Sequence, residues 1–314
     1  MRYGFGIDLG GTTVKIACFD ENGTILDAWQ IPTRTENSGE NILPDIASAV
    51  KTYLEEKKID RNQVIGAGLG VPGPVNGLGV VNKCVNLGWG VFNVAETLSG
   101  MLEFPVKAGN DANVAALGEY WKGGGAGSGS MVMVTLGTGV GGGIVMDGHL
   151  LHGAHGSGGE LGHMVQDPEE TERCGCGKQG CVEQYCSATG VVTLAKRYLS
   201  AHNEGSSLRS AEQLTAKAVF DAAKDGDGAA KQILEQYYDH LGRFLASMCC
   251  VVDPDVVVLG GGVCKAGQVL LDGVRPYFDK YVFHAARGVK FALAKLENDA
   301  GAYGAFKLAL DAFG

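Results

Sequence analysis

Residues 3–29, YGFGIDLGGTTVKIACFDENGTILDAW, read as three strands joined by two turns. The apolar run 3–9 ends at Gly10-Gly11-Thr12-Thr13, and a second apolar run, 14–19, follows. Asn22-Gly23 is a hairpin signal, which makes 24–29 the third strand. The same sentence returns at 131–151, MVMVTLGTGVGGGIVMDGHLL, where 131–136 is apolar, 137–143 turns, 144–146 is apolar and Asp147-Gly148 turns again before 149–151. Two hairpins, each with a glycine-rich first turn holding threonine, suggest a duplicated architecture with one such turn in each half.

Helical patterns lie between and after these stretches. Ile42, Ile46, Ala49, Val50, Tyr53 and Leu54 recur at helical spacing, and 113–121, 189–199, 211–225, 232–252 and 302–312 repeat the pattern. Residues 106–108 and 256–259 read as buried strands, the latter ending in Gly260-Gly261-Gly262. Alternating strands and helices imply an α/β fold. The stretch 123–129, GGGAGSG, is linker-like and places a domain boundary near residue 120, dividing the chain into 1–119 and 120–301.

Composition narrows the function. The chain has 314 residues, 45% hydrophobic and 19% charged, which is a globular balance. Its net charge is −9 and no basic run exists, which argues against a nucleic-acid or anionic-membrane partner. Nothing approaches the roughly 18 consecutive apolar residues of a spanning helix. The first residues, MRYGFGIDLGG, do not read as a signal peptide, so a cytoplasmic chain with reduced thiols is expected.

Four local patterns carry chemistry. Asp8, Gly10, Gly11, Thr12, Thr13 and Lys15 put a carboxylate at a strand end beside a turn whose backbone N–H groups and hydroxyls suit phosphate oxygens. A carboxylate there would repel phosphates unless it oriented hydrated Mg²⁺. The plainer reading is a polar turn with a capping aspartate. Thr138 and Gly139 sit in the second such turn. Gly137, Gly139 and Gly142 have dinucleotide spacing, but 144–148 reads as strand and turn where that motif needs a helix. Gly68, Gly70 and Gly73 have it too, and Pro72 and Pro74 forbid the helix.

His163, Cys174, Cys176 and Cys181 offer one imidazole and three thiols within a short, glycine-punctuated loop, the donor set of a closed structural Zn²⁺ site. Free thiols are the alternative, and Cys186 is a rival ligand. Glu160 and Glu183 flank this loop. They read either as fixed acceptors for the hydroxyls of a polyhydroxylated substrate or as solvated loop charges. Finally, Asn110-Asp111 follows a strand and opens a helix. Asp111 suits both a helix N-cap and a general base that takes a proton from an attacking hydroxyl.

Together these residues resemble the ROK family of sugar kinases and repressors, within the actin-like ATPase superfamily. GIDLGGTTVK (6–15) and LGTGVGGG (136–143) resemble its two phosphate motifs, and VVLGGGV (257–263) its adenosine-side strand. GGELGHM (158–164) with CGCGKQGCVEQYCSATG (174–190) is similar to its zinc signature. The resemblance implies two ribonuclease H-like α/β domains flanking a cleft, with helix 302–314 returning to the first and the zinc loop 163–181 in the second.

It also implies residue roles. Asp111 is then the catalytic base, and Gly73, Asn110, Asp111, Glu160, His163 and Glu183 contact the sugar. His163, Cys174, Cys176 and Cys181 hold zinc, leaving Cys186 a bystander. Asp8, Gly10, Gly11, Thr12, Thr13, Lys15, Thr138 and Gly139 face phosphate and magnesium, and Gly261 and Gly262 lie under the nucleotide. Family repressors carry a helix-turn-helix ahead of the first motif. Here that motif stands at the start of the chain and Asp111 is present, so a kinase is expected over a repressor. NDANVAALGE (110–119) and SATG (187–190) are similar to the bacterial glucokinases of the family. The implied activity is therefore ATP- and Mg²⁺-dependent phosphorylation of a hexose at its 6-hydroxyl, glucose ahead of fructose, mannose or N-acetylmannosamine. The implied protein is a homo-oligomer, and a sugar-sensing regulator without turnover is the competing class.

Overall fold

The three strands of the opening stretch form as β1 (Tyr3–Leu9), β2 (Thr13–Asp20) and β3 (Ile25–Pro32). The computed structural model describes residues Met1–Gly314. There follow α1 (Ile42–Lys57), β4 (Val64–Val71), α2 (Val94–Leu102), β5 (Val106–Asn110) and α3 (Asp111–Lys122). The second repeat supplies β6 (Ser130–Leu136), β7 (Val140–Met146) and β8 (His149–Leu150). Its continuation is α4 (Ala188–Ala201), α5 (Ala216–Lys224), α6 (Gly228–Val252), β9 (Val256–Gly260), α7 (Gln268–Tyr281), β10 (Lys290–Leu293) and α8 (Ala300–Phe313).

The duplication is real at the level of topology. One sheet runs β3-β2-β1-β4-β5 and the other β8-β7-β6-β9-β10, the same order in both. Each joins an antiparallel hairpin ladder to parallel strands, β1 with β4 and β4 with β5 in the first, β6 with β9 and β9 with β10 in the second. The fold is thus mixed α/β. The chain divides into two compact units, Met1–Gly127 with Gly143–Gly159 and Lys295–Gly314, and Ser128–Gly142 with Glu160–Ala294. No helix is long and apolar enough to cross a membrane.

In the first unit the pleat sends alternate residues of a strand to opposite faces. Phe5, Ile7 and Leu69 pack with Ile42, Ile46 and Val50 of α1 and Leu98 of α2. On the other face Ala17 and Phe19 meet Ala302 and Phe306 of α8. Gly6 and Gly68 are partners in the β1–β4 ladder. A Cβ on Gly6 would overlap the carbonyl of Ala302, and one on Gly68 the carbonyl of Ala305. The paired glycines therefore form the groove in which the last helix lies directly on the sheet.

In the second unit, Ser187, Thr215 and Asp227 cap α4, α5 and α6 through their side-chain oxygens, each accepting from a backbone N–H of the first turn. The sequence placed the second of these helices at 211–225. The chain turns instead through Ser207–Ser210 and starts the helix after its Thr215 cap. Likewise β7 begins at Val140, so Gly141, Gly142 and Gly143 belong to the ladder and only Gly137–Gly139 make the turn.

Candidate functional site

In parallel sheets the residues just past the carboxyl ends of the strands gather at one edge, where ligands bind. The first unit assembles its candidate residues this way. Asp8 stands near the end of β1 opposite Gly70 of β4, and Val71 of β4 stands opposite Asn110 of β5. Asp8, Gly73 and Asn110-Asp111 thus share the edge.

The N-cap of α3 is Asn110, not Asp111: the Asn110 side-chain oxygen accepts from Asn113 N–H at 3.1 Å. This removes the capping explanation for Asp111, which becomes the first helical residue. The Asn110 amide nitrogen donates to the Gly73 carbonyl at 3.1 Å and to Asp111 Oδ1 at 3.0 Å. Ala112 N–H donates to the same Oδ1 at 2.8 Å. The carboxylate is therefore oriented by its neighbours at the first turn of the helix.

Asp8 is half-buried, and burial raises its pKa above the ordinary carboxylate value while Lys15 pulls it back. Gly301 makes room for it, since a Cβ there would stand 2.5 Å from the Asp8 carboxyl carbon. Lys15 lies across the ladder from Asp8 and gives its ammonium to the carbonyl of Asn298 at 2.8 Å. Gly11 and Thr12 are exposed in the turn, which Gly10 N–H closes onto Thr13 O at 3.0 Å. An oxygen donor held in a desolvated place suits a hard cation such as Mg²⁺.

The second unit holds the other residues. Gly137 N–H closes its turn onto Gly139 O at 3.0 Å, leaving Thr138 exposed. Gly261, at φ +86°, packs on the Leu136 backbone, where a Cβ would stand 2.7 Å away, and Gly262 is exposed beside it. Both glycine turns are tethered in the same way, which sequence reasoning missed. Thr33 donates its hydroxyl to Gly10 O at 2.7 Å and Thr189 donates to Thr138 O at 2.9 Å. Neither threonine adjoins its turn, so no local pattern marks it.

His163, Cys174, Cys176 and Cys181 come together with all four donor atoms within 4.8 Å of one another. Cys176 Sγ and Cys181 Sγ are 3.7 Å apart, and Cys174 Sγ is 3.8 Å from His163 Nδ1. A tetrahedral zinc with Zn–S bonds of about 2.3 Å demands S···S edges of about 3.8 Å. The donor set and its spacing fit zinc. Cys186 is fully buried outside this group, its thiol pushed well up by desolvation.

His163 turns Nδ1 to the thiols and leaves Nε2 3.9 Å from Glu160, whose side chain is exposed. Glu183 accepts from Val140 N–H at 3.0 Å, at the second glycine turn, and its other oxygen is 3.4 Å from Cys174 Sγ. It is thus tied to both the turn and the metal cluster. A polar hollow of about 200 Å³ opens beside them, lined by Thr138, Cys174, Glu183, Ser187, Thr189 and Arg197 among others.

The loop is braced from behind. Arg197 grips Glu170 with two bonds of 2.8 and 3.0 Å, and Tyr185 donates to the same carboxylate at 2.6 Å. These partners hold the Glu170 carboxyl down at about 2.

Comparison with known proteins agrees with this geometry. The ROK family model matches residues 4–312. The chain is 41% identical to the glucokinase of Halalkalibacterium halodurans, covering 96% of this chain and 93% of that one, and 34% identical to the glucokinase of Thermotoga maritima, covering 98% of each. A ROK family glucokinase from Streptomyces griseus, solved in complex with glucose and AMPPNP, superposes with a TM-score of 0.75 at 31% identity, covering 98% of this chain and 99% of that one. With the two glycine turns, the Asn110-capped helix start and the Cys₃His cluster all in place, the chain belongs to the ROK family.

Proposed function

We propose that this protein is an ATP-dependent hexokinase of the glucokinase type, transferring the γ-phosphoryl group to the 6-hydroxyl of glucose. The observation that carries the reading is the start of α3. Asn110 takes over the cap and orients the Asp111 carboxylate through Oδ1. An aspartate so placed is fit to receive a proton. The naming of relatives as glucokinases supports glucose over other hexoses.

In the reaction Asp111 accepts the proton of the 6-hydroxyl as its oxygen bonds to the γ-phosphorus. The bond from phosphorus to the bridging oxygen breaks, and ADP leaves. Phosphoryl transfer asks the protein mainly for position and charge neutralisation. Asn110 and Gly73 hold Asp111 on line and offer sugar contacts of their own. His163, whose Nδ1 faces the thiols, would offer Nε2 to a sugar hydroxyl when zinc is bound, while Glu160 and Glu183 accept from others.

His163, Cys174, Cys176 and Cys181 would hold a structural zinc, which fixes the loop carrying these groups. Asp8 would hold Mg²⁺, whose bound form neutralises charge on the phosphoryl oxygens. The N–H groups and hydroxyls of residues 10–13 and 138–139 face the phosphates, and Gly261 and Gly262 lie under the nucleotide. The test is a coupled ADP-release assay with Mg²⁺-ATP over glucose, fructose, mannose and N-acetylmannosamine. Glucose should give the highest kcat/KM. Absence of turnover with every sugar would refute the enzymatic reading in favour of a sugar sensor.

A further inference from the structure

Glu119, in the last turns of α3, has no solvent-exposed surface. Burying a carboxylate is costly unless it is fully hydrogen-bonded. Its partners are backbone amides. Oε2 accepts from Gly124 N–H at 2.7 Å, both oxygens lie 3.0 Å from Lys295 N, and Oε1 accepts from Leu296 N–H at 2.7 Å. The main-chain carbonyl of the same residue accepts from Gly123 N–H and Gly125 N–H, each at 3.0 Å. Gly123 is required here, because a Cβ would overlap the carboxylate.

The location of these amides is informative. The chain first leaves the first unit after Gly127, passes through it again over Gly143–Gly159, and returns for the last time at Lys295. Glu119 therefore ties down the segment about to depart and the segment just returned, at a single point on α3. The first residue of α3 is Asp111. Eight residues of helix separate the two carboxylates, a rigid strut of about 12 Å at 1.5 Å per residue. A hydrophobic side chain of equal size would fill the space yet deprive three part-buried N–H groups of their acceptor.

We propose that Glu119 is a positioning residue for phosphoryl transfer: it fixes the segments at the chain's first departure and last return to the helix that carries the base. The placement of Asp111, at the other end of the same helix, then depends on this carboxylate. The inference rests on the hexokinase reading and extends it to a residue remote from substrate. A role confined to folding would lower stability and leave the folded enzyme's chemistry alone.

The test is steady-state kinetics of Glu119→Gln, corrected for zinc-loaded folded protein by metal content and circular dichroism. The amide turns an N–H donor toward other N–H donors at one of the two oxygen positions. We expect kcat to fall tenfold or more, with the KM for glucose changed less than threefold. A kcat within twofold of the parent overturns the proposal, whatever the change in melting temperature.

Should the variant fail to fold, hydrogen exchange on the parent decides. The amides of Gly124, Lys295 and Leu296 should be as protected as the core of α3, with and without glucose. Exchange at the rate of exposed loops in either state overturns the proposal. A parent inactive on every hexose sinks the hexokinase reading, an outcome the exchange measurement does not share.

Discussion

Acidification should destabilise this protein through one half-buried ring behind the zinc loop. His240 of α6 stacks on Tyr185 with centroids 4.4 Å apart, and Gln166 donates its amide to the His240 carbonyl at 3.0 Å. Burial pushes the imidazole pKa from 6.5 down to about 4, Arg243 adding to the effect and Asp239 and Asp167 opposing it. The native state therefore refuses a proton that the unfolded chain accepts below its ordinary value. Stability is intact above pH 6.5 and is lost as pH falls from there toward 4.

A shift from 6.5 to about 4 at 1.36 kcal/mol per unit bounds the loss at about 3 kcal/mol, and two-state linkage gives about 2 kcal/mol by pH 5. His240→Phe keeps a ring against Tyr185 and carries no proton. Urea unfolding of parent and variant, followed by far-UV circular dichroism in excess zinc from pH 8 to 5, isolates the contribution, because the zinc ligands titrate equally in both. The parent should lose about 2 kcal/mol more than the variant over that range. Curves that stay parallel within about 0.5 kcal/mol would mean that native His240 takes the proton freely, and the burial reasoning would be wrong.

Asp111→Ala should lower kcat by about 10²–10⁴ with unchanged zinc content, and a variant within tenfold of the parent would remove Asp111 from the base role. Cys176→Ala should release zinc and weaken glucose binding, measured calorimetrically, far more than binding of a non-hydrolysable ATP analogue. Equal loss of both would indicate general unfolding. Gly68→Ala places a methyl 3.0 Å from the Cα of Ala305 and into its carbonyl, so α8 must lift from the sheet. We expect about 1–3 kcal/mol of destabilisation by denaturant melts. An unchanged midpoint would show that the groove has room to spare.

What the sequence disclosed of the fold follows from how its elements are buried. β1 and the longest helix, α6, announce themselves through apolar runs bounded by glycine or capping signals. β4, VIGAGLGV, lies inside its sheet between β1 and β5 with every residue buried. Covered on both faces, it shows no alternation, and its glycines, two of which have dinucleotide-motif spacing with Gly73, serve close packing. α7 was silent for a different reason: it contains Pro276, which a local reading takes as a break. Gly141–Gly143 were read as turn and lie in the ladder, since glycine marks both a turn and a strand under close approach, and only the tertiary neighbours distinguish them.

The site divides along a related line. Its metal cluster was legible because tetrahedral ligation imposes short, fixed spacings that survive in the sequence, and the four donors do converge. Asp111 remained ambiguous because a cap and a base favour the same residue at the same place. The structure decides the cap alone: Asn113 N–H donates to Asn110. The residues that stayed invisible, Thr33, Thr189 and Glu119, act on backbone amides and carbonyls far along the chain. Such partners have no side-chain identity to pattern-match, so nothing in the partner's sequence betrays the contact. The groups that hold a site in place are for this reason harder to read from sequence than the groups that perform its chemistry, and a buried carboxylate satisfied by amides alone is where a structure adds most.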